Sequence, residues 1–265
     1  MRQKRAACKK RTRLVFVFGC LKTAEVTFFQ FAKRSGVGET MNEAGWLISA
    51  LAVTGVFLLL GVIAGLSFHF DNKRRQQWLE VATSLGFESL AIFPTELDGV
   101  VGRSPLLNTG RKRTWTNIYR RQVDSLGVVF GDYRYTVGHG KTTNVWHQTI
   151  ILFHSPTFES PRFEIKPEGW FSRIGEMLGA QDIDFTEAAQ FSKKYVLKSD
   201  DEAAVRDFLR PDTLELLAGL HHLCLEVRSG SLMFWFDRRT IPPLEFKTAF
   251  EQAFSVYTAM SNPAA

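Results

Sequence analysis

The chain has 265 residues, 45% hydrophobic and 23% charged, with a net charge of +6; this excludes collagen-like, low-complexity and disordered classes and allows one membrane segment plus a domain, or two small domains. Three cysteines, Cys8, Cys20 and Cys224, are too few and too scattered for a disulfide framework or a four-cysteine metal site. Residues 1–40 hold ten basic and two acidic side chains (+8), and the other 225 hold 23 basic and 25 acidic (−2), so the excess basicity belongs to the leading segment and the fold does not read as a nucleic-acid binder.

In chain order, residues 1–45 form a basic N-terminal extension. Its run Arg2, Lys4, Arg5, Lys9, Lys10, Arg11, Arg13 has three readings. It can meet phosphates or anionic lipid heads. It can open a targeting segment whose hydrophobic region, 14–31, is interrupted by Lys22 and Glu25. Or it lies upstream of the true start, because Met41 stands just before the apolar run, where a compact anchor would begin.

Trp46 to Phe68 reads WLISALAVTGVFLLLGVIAGLSF, 23 residues without an ionisable side chain. As a helix it spans about 35 Å against a hydrocarbon core of about 30 Å, with Trp46 at one interface and Phe68, His69 and Phe70 at the other. The spacing predicts a transmembrane helix over 46–68, with the bilayer as the first partner. A buried core helix rarely runs this long without a charge, and a cleaved signal peptide fits neither its length nor the following Asp71, Lys73, Arg74 and Arg75. Gly61-x-x-x-Gly65 offers a helix-packing motif and a route to a homo-oligomer. If the chain starts at Met41, the positive charges lie after the helix and the C-terminal domain faces the cytoplasm; if residues 1–40 are native, the ten basic residues before it favour the reverse. The single cysteine of that domain suits a reducing compartment. The expectation is therefore a single-pass protein of the plasma (inner) membrane with a cytoplasmic domain.

Residues 72–260 read as α+β: a mixed, mainly antiparallel sheet with packed helices, divisible into sub-domains 90–180 and 187–260. The expected elements are a helix over 74–85, a turn-rich stretch over 94–113, and strands over 114–121, 126–137, 144–154 and 162–166. Val129, Tyr133, Tyr135 and Val137 share one strand face. A short helix follows Pro167, with Phe171, Ile174 and Leu178 inward. Then come a strand over 191–198, a capping box Ser199-Asp200-Asp201-Glu202 opening a helix, and a helix from Pro211 through Leu217. Strands over 222–228 and 231–237 precede a last helix striped by Phe246, Ala249, Phe250, Ala253, Phe254 and Tyr257.

The candidate chemistry is thin. Gly138-His139-Gly140-Lys141-Thr142-Thr143 resembles the end of a phosphate loop, but the required first glycine is Tyr135 and no helix follows; a glycine-rich hairpin is the simpler reading. His221-His222-x-Cys224 lacks a second ligand pair. His139, His147 and His154 lack a carboxylate, and Asp182 and Asp184 read as turn acids. No metal or cofactor is expected. Arg111, Lys112, Arg113, Arg120 and Arg121, near Trp115 and Tyr119, form the one candidate contact, for anionic lipid or an acidic partner; the alternative is a charged, solvated strand edge.

The strings FEIKPEG (163–169), QDIDF (181–185) and FSKKYVLKSDDEAAVRDFL-x-P (191–211) resemble a group of bacterial membrane proteins with one N-terminal transmembrane helix and a C-terminal domain of unknown function. The resemblance implies a plasma-membrane setting and brings no site residues. The functional expectation is a membrane-anchored binding or scaffolding module with a protein partner, with the question of enzymatic activity left open; the alternative is a membrane-tethered, hydrolase-like enzyme whose site is assembled from residues distant in sequence.

Overall fold

The computed structural model describes residues 43–168 and 181–261. The chain divides into two units, one up to His69 and one from Phe70. In the first, the apolar run lies within helix α1 (Glu43–Ser84). Its exposed side chains go right round the axis: Phe57, Leu58, Leu59 and Leu60, four successive residues about 100° apart, are 44%, 66%, 60% and 54% exposed. Side chains of the run are described over 51–66, about 24 Å of helix, and among the described residues no helix is long and apolar enough to cross a membrane.

The second unit is α+β. After α1 come β1 (Glu88–Leu90), a single turn at Thr95–Leu97, α2 (Asp98–Arg103), α3 (Pro105–Asn108), β2 (Arg111–Val123), β3 (Leu126–Val137), β4 (Asn144–His154) and β5 (Phe163–Pro167). Then follow β6 (Gln181–Ile183), α4 (Ala189–Ser192), β7 (Tyr195–Ser199), α5 (Glu202–Phe208), α6 (Pro211–Gly219), β8 (Leu223–Arg228), β9 (Ser231–Phe236) and α7 (Phe246–Ser261). Among the described residues nine strands make one sheet, in the order β1-β2-β3-β4-β9-β8-β5-β7-β6. Among the described residues every pairing is antiparallel, which corrects the expected mixed sheet. Strands from 90–180 and from 187–260 interleave in it, because β5 inserts between β8 and β7.

Period-two alternation loads both faces of the central strands. Val128 and Phe130 of β3 join Phe163, Ile165, Leu225, Val227 and Phe234 under α7, α6 and the end of α1, where Trp78 and Ala82 are fully buried. Val129, Tyr133 and Tyr135 join Ile150, Leu152, Cys224, Met233 and Trp235 under Leu97, Val100, Leu106 and Leu107 of the short helical segments. Both faces are therefore covered, as steadily apolar strands require.

Three local readings need correction. Strand β7 begins at Tyr195, not Phe191, because Phe191 closes α4 and points into the core; the alternation of FSKKYVLK conceals the turn at Lys193-Lys194. The cap of α5 is Asp201, whose carboxylate accepts from the Ala204 N–H at 3.0 Å; Ser199 is still strand and accepts from the Asp201 N–H instead. The buried stripe of α7 runs Phe246, Ala249, Ala253, Val256, Tyr257, Met260, while Phe254 is 44% exposed. Steps of four residues turn about 40° per step, which carries Phe254 to the rim, where its ring meets Phe250 and Tyr257. The short helix expected after Pro167 lies outside the described residues.

Candidate functional site

The five basic residues do not form one cluster. All lie on β2, which starts at Arg111 instead of after the turn-rich stretch, so Arg111–Arg113 and Arg120–Arg121 stand about 25–30 Å apart along the strand. Arg111 and Lys112 are exposed on the part of β2 that β1 does not cover. Arg113 Nη1 donates to the Leu107 carbonyl (2.9 Å) and to Asn108 Oδ1 (3.2 Å), tying down the end of α3. Arg120 pairs with Glu96, and Arg121 Nη1 donates to the Leu85 carbonyl (2.9 Å), where α1 has just ended. Cations at helix C-termini are ordinary stabilising contacts, and bulges at Lys112 and Asn117, both with positive φ, further break the open edge.

A different set of charges is buried together. On β5 and β8, Phe163, Ile165, Leu225 and Val227 face one core, so Glu164, Lys166, Glu226 and Arg228 face the other way. Glu164 and Glu226 are directly opposite in register. Lys166 Nζ lies 2.6 Å from Glu164 Oε2, Arg228 Nε 2.9 Å from Glu226 Oε1, and Ser104 Oγ donates to Glu226 Oε2 at 2.8 Å. The side chains of Glu164, Lys166 and Glu226 are 3–5% exposed and that of Arg228 11%. Burial, with Glu164 beside it, pushes the Glu226 carboxyl above the usual range against the pull of Arg228 and Ser104. Glu164 Oε1 and Arg228 Nη2, 3.9 Å apart, have no hydrogen-bond partner among the described residues.

Arg228 also lines an open pocket of about 500 Å³ at the end of β8, with Arg103, Ser160, Arg162 and Ser229. Arg103 arrives from α2, its Nε donating to the Gly99 carbonyl at 2.9 Å. Arg162 precedes β5, and its carbonyl accepts from Ser199 Oγ at 2.7 Å. Ser160 Oγ is buried without a hydrogen-bond partner among the described residues. Nothing in the sequence marked this group: Arg103, Arg162 and Arg228 are isolated in the chain, and only the β5–β8 pairing and the packing of α2 bring them together. The repeated acid-x-base pattern of Glu164/Lys166 and Glu226/Arg228 was the available signal, but it reads equally well as two strands with a wet face.

The other sequence candidates are dispersed. Gly138–Thr143 is the β3–β4 connection. Asp182 makes an ion pair with Lys198 at 3.3 Å, and the Asp184 carbonyl accepts from Arg206. Cys224 is fully buried, and burial pushes its thiol well above the ordinary value. Among the described residues no group of three or more His, Cys, Asp or Glu is placed to hold a metal.

No family model matches the chain, and no curated protein matches it. Among solved structures it is similar to the crystal structure of the mycobacterial trehalose monomycolate transport factor A, TtfA, at 11% identity and a TM-score of 0.48, over 71% of this chain and 91% of that one; a likeness this low carries no argument about fold or function.

Proposed function

We propose that the chain is a single-pass membrane protein of the bacterial group it resembles, held at the plasma membrane by 46–68, and that its α+β domain is a cytoplasmic binding or scaffolding module. The observation that carries the anchor is the all-round exposure of the apolar helix. Ten large apolar side chains between Leu51 and Leu66 are 39–71% exposed, and leaving that surface in water costs on the order of 10 kcal/mol. A helix apolar on every side needs an apolar surrounding, and lipid also suits its backbone, whose polar groups are satisfied internally. Binding is favoured over catalysis by where the perturbed groups lie. Tyr119, Tyr133, Tyr135, Tyr195, Cys224, Glu226 and Tyr257, whose proton affinities burial raises, are all at most 8% exposed, and catalytic groups with shifted affinities open into clefts.

Alkaline carbonate extraction of membranes carrying the full chain tests the anchor. The protein is expected to stay in the pellet. Leu59→Lys with Leu60→Lys, each lysine costing about 3 kcal/mol at a helix centre, is expected to release it. Wild-type protein in the supernatant without detergent would overturn the reading.

A further inference from the structure

We propose that the pocket between α2, the segment before β5 and the end of β8 binds an oxyanion of the phosphate class. The inference rests on the reading of the domain as a binding module and deepens it by naming the ligand chemistry.

The lining residues are three arginines and two serines, with no carboxylate among them: Arg103, Arg162, Arg228, Ser160 and Ser229. Two of the polar atoms in these residues are buried without a hydrogen-bond partner among the described residues, Ser160 Oγ and Arg228 Nη2, the latter with only a long ion pair to Glu164 Oε1 at 3.9 Å. A native fold rarely leaves buried donors unmade, and here two are held by residues lining one concavity. The three arginines are also brought together against their own repulsion. Arg162 immediately precedes Phe163, Arg228 immediately follows Val227, and Phe163 and Val227 are paired, so two like charges stand at the same end of the β5–β8 pair. The buried carboxylates answer only part of this charge. Glu226 takes Arg228 Nε at 2.9 Å, and Glu164 takes Lys166 at 2.6 Å and stands 3.9 Å from Arg228 Nη2, which leaves Arg103 and Arg162. Among the described residues Arg162 has only Asp200, 3.7 Å away with both side chains about half exposed or more, a pair of the kind worth little. Arg103 spends its Nε on Gly99 and makes no other hydrogen bond among the described residues.

The site is held in place by its surroundings. Arg228 is fixed from behind by Glu226, which Ser104 Oγ orients at 2.8 Å, and the backbone at Arg162 is fixed by Ser199 Oγ at 2.7 Å. Planar guanidinium groups that converge with serine hydroxyls match the tetrahedral oxygens of a phosphate group, to which each arginine can present two donors. A free phosphate compound and a phospholipid headgroup share this chemistry.

The test is calorimetric titration of inorganic phosphate into the full chain in neutral detergent at low salt. One saturable site is expected. Arg103→Gln with Arg162→Gln, both at the solvent-exposed side of the pocket, is expected to weaken it at least tenfold, and Ser160→Ala severalfold, with the thermal midpoint of the protein unchanged. Arg120→Gln with Arg121→Gln removes the same charge elsewhere and is expected to leave the affinity as it was. Adding phosphatidylglycerol to the micelles separates the sources: an upward shift of the apparent Kd for phosphate assigns the site to a lipid headgroup, and an unchanged Kd assigns it to a soluble phosphate compound. Absence of saturable binding, or equal weakening by the two double variants, would overturn the proposal. Carbonate extraction is indifferent to all of these variants, so failure here leaves the anchor standing.

Discussion

Asp132 joins more of the fold than any residue of the candidate basic cluster. Its Oδ1 accepts from Thr149 Oγ1 at 2.6 Å and its Oδ2 from Asn117 Nδ2 at 2.8 Å, while Arg74 Nη2 reaches both oxygens and the Ile241 carbonyl. Thr149 Oγ1 in turn accepts from the Ile241 N–H. One carboxylate thus ties α1, β2, β3, β4 and the segment before α7. Asp132→Ala leaves Arg74 and Asn117 without their acceptor, and is expected to cost about 2–4 kcal/mol, read as a lower denaturation midpoint at unchanged m-value. A loss below about 1 kcal/mol would show that the network contributes little. The sequence did not mark Asp132: the strand face opposite Val129, Tyr133, Tyr135 and Val137 carries Val128, Phe130, Asp132, Arg134 and Thr136, which reads equally well as a face that turns polar towards its end. Its partners were not legible, because Arg74 and Ile241 are 58 and 109 positions away and no local pattern links them.

Among the elements, those whose stop signals are local came out of the sequence nearly to the residue. Strands β3 and β4 and helices α5 and α6 are bounded by glycine, proline or a capping acid. Boundaries failed where two structures share one alternation, as at α4 and β7, and where a charged run continues a strand instead of ending it, as at Arg111–Arg113. The β3–β4 connection shows what glycine supplies. Gly138 has φ +87, and a Cβ there would lie 2.3 Å from the Thr142 carbonyl oxygen, whereas Gly140, at φ +57, faces open space. Gly138→Ala is therefore expected to cost about 2 kcal/mol, a fall in Tm of about 4–8 °C, and Gly140→Ala only about 1 kcal/mol. Thermal scans of the two variants check the order, and an equal effect would remove the role given to the Thr142 contact.

For the whole molecule, burial on both faces of the sheet makes base a specific threat. Tyr133, Tyr135 and Tyr195 have their phenols pushed up to about 12 by burial, while in the unfolded chain they ionise near 10. Between these values the folded state holds protons that the unfolded state has lost, so stability falls as pH rises from about 10 towards 12 and is untouched by these groups below that window. Denaturation midpoints measured across pH 8–12 are expected to fall gently above about pH 8.5, where the unfolded chain ionises Cys224 and the folded one does not, and to drop steeply from about pH 10, with phenolate absorbance growing together with unfolding; phenolate signal from the folded protein near pH 10 would contradict it. At this scale the class α+β was legible from composition and alternation, and the strand order was not. Pairings such as β4 with β9 and β5 with β8 depend on which apolar faces find each other across 60 or more residues, and the anion pocket exists only because those pairings form.

The position of β8 and β9 has a consequence for synthesis. Of the described strands they are the last to leave the ribosome, yet they form the middle of the finished sheet, joining β4 on one side and β5 on the other. Until Phe236 has emerged, the nascent chain carries two unfinished half-sheets, one ending on the unpaired inner edge of β4 with Ile150, Ile151, Leu152 and Phe153 uncovered. Vectorial growth cannot close this gap stepwise, so the domain completes in one late event, and the interval before it is when a holdase has the most to shield.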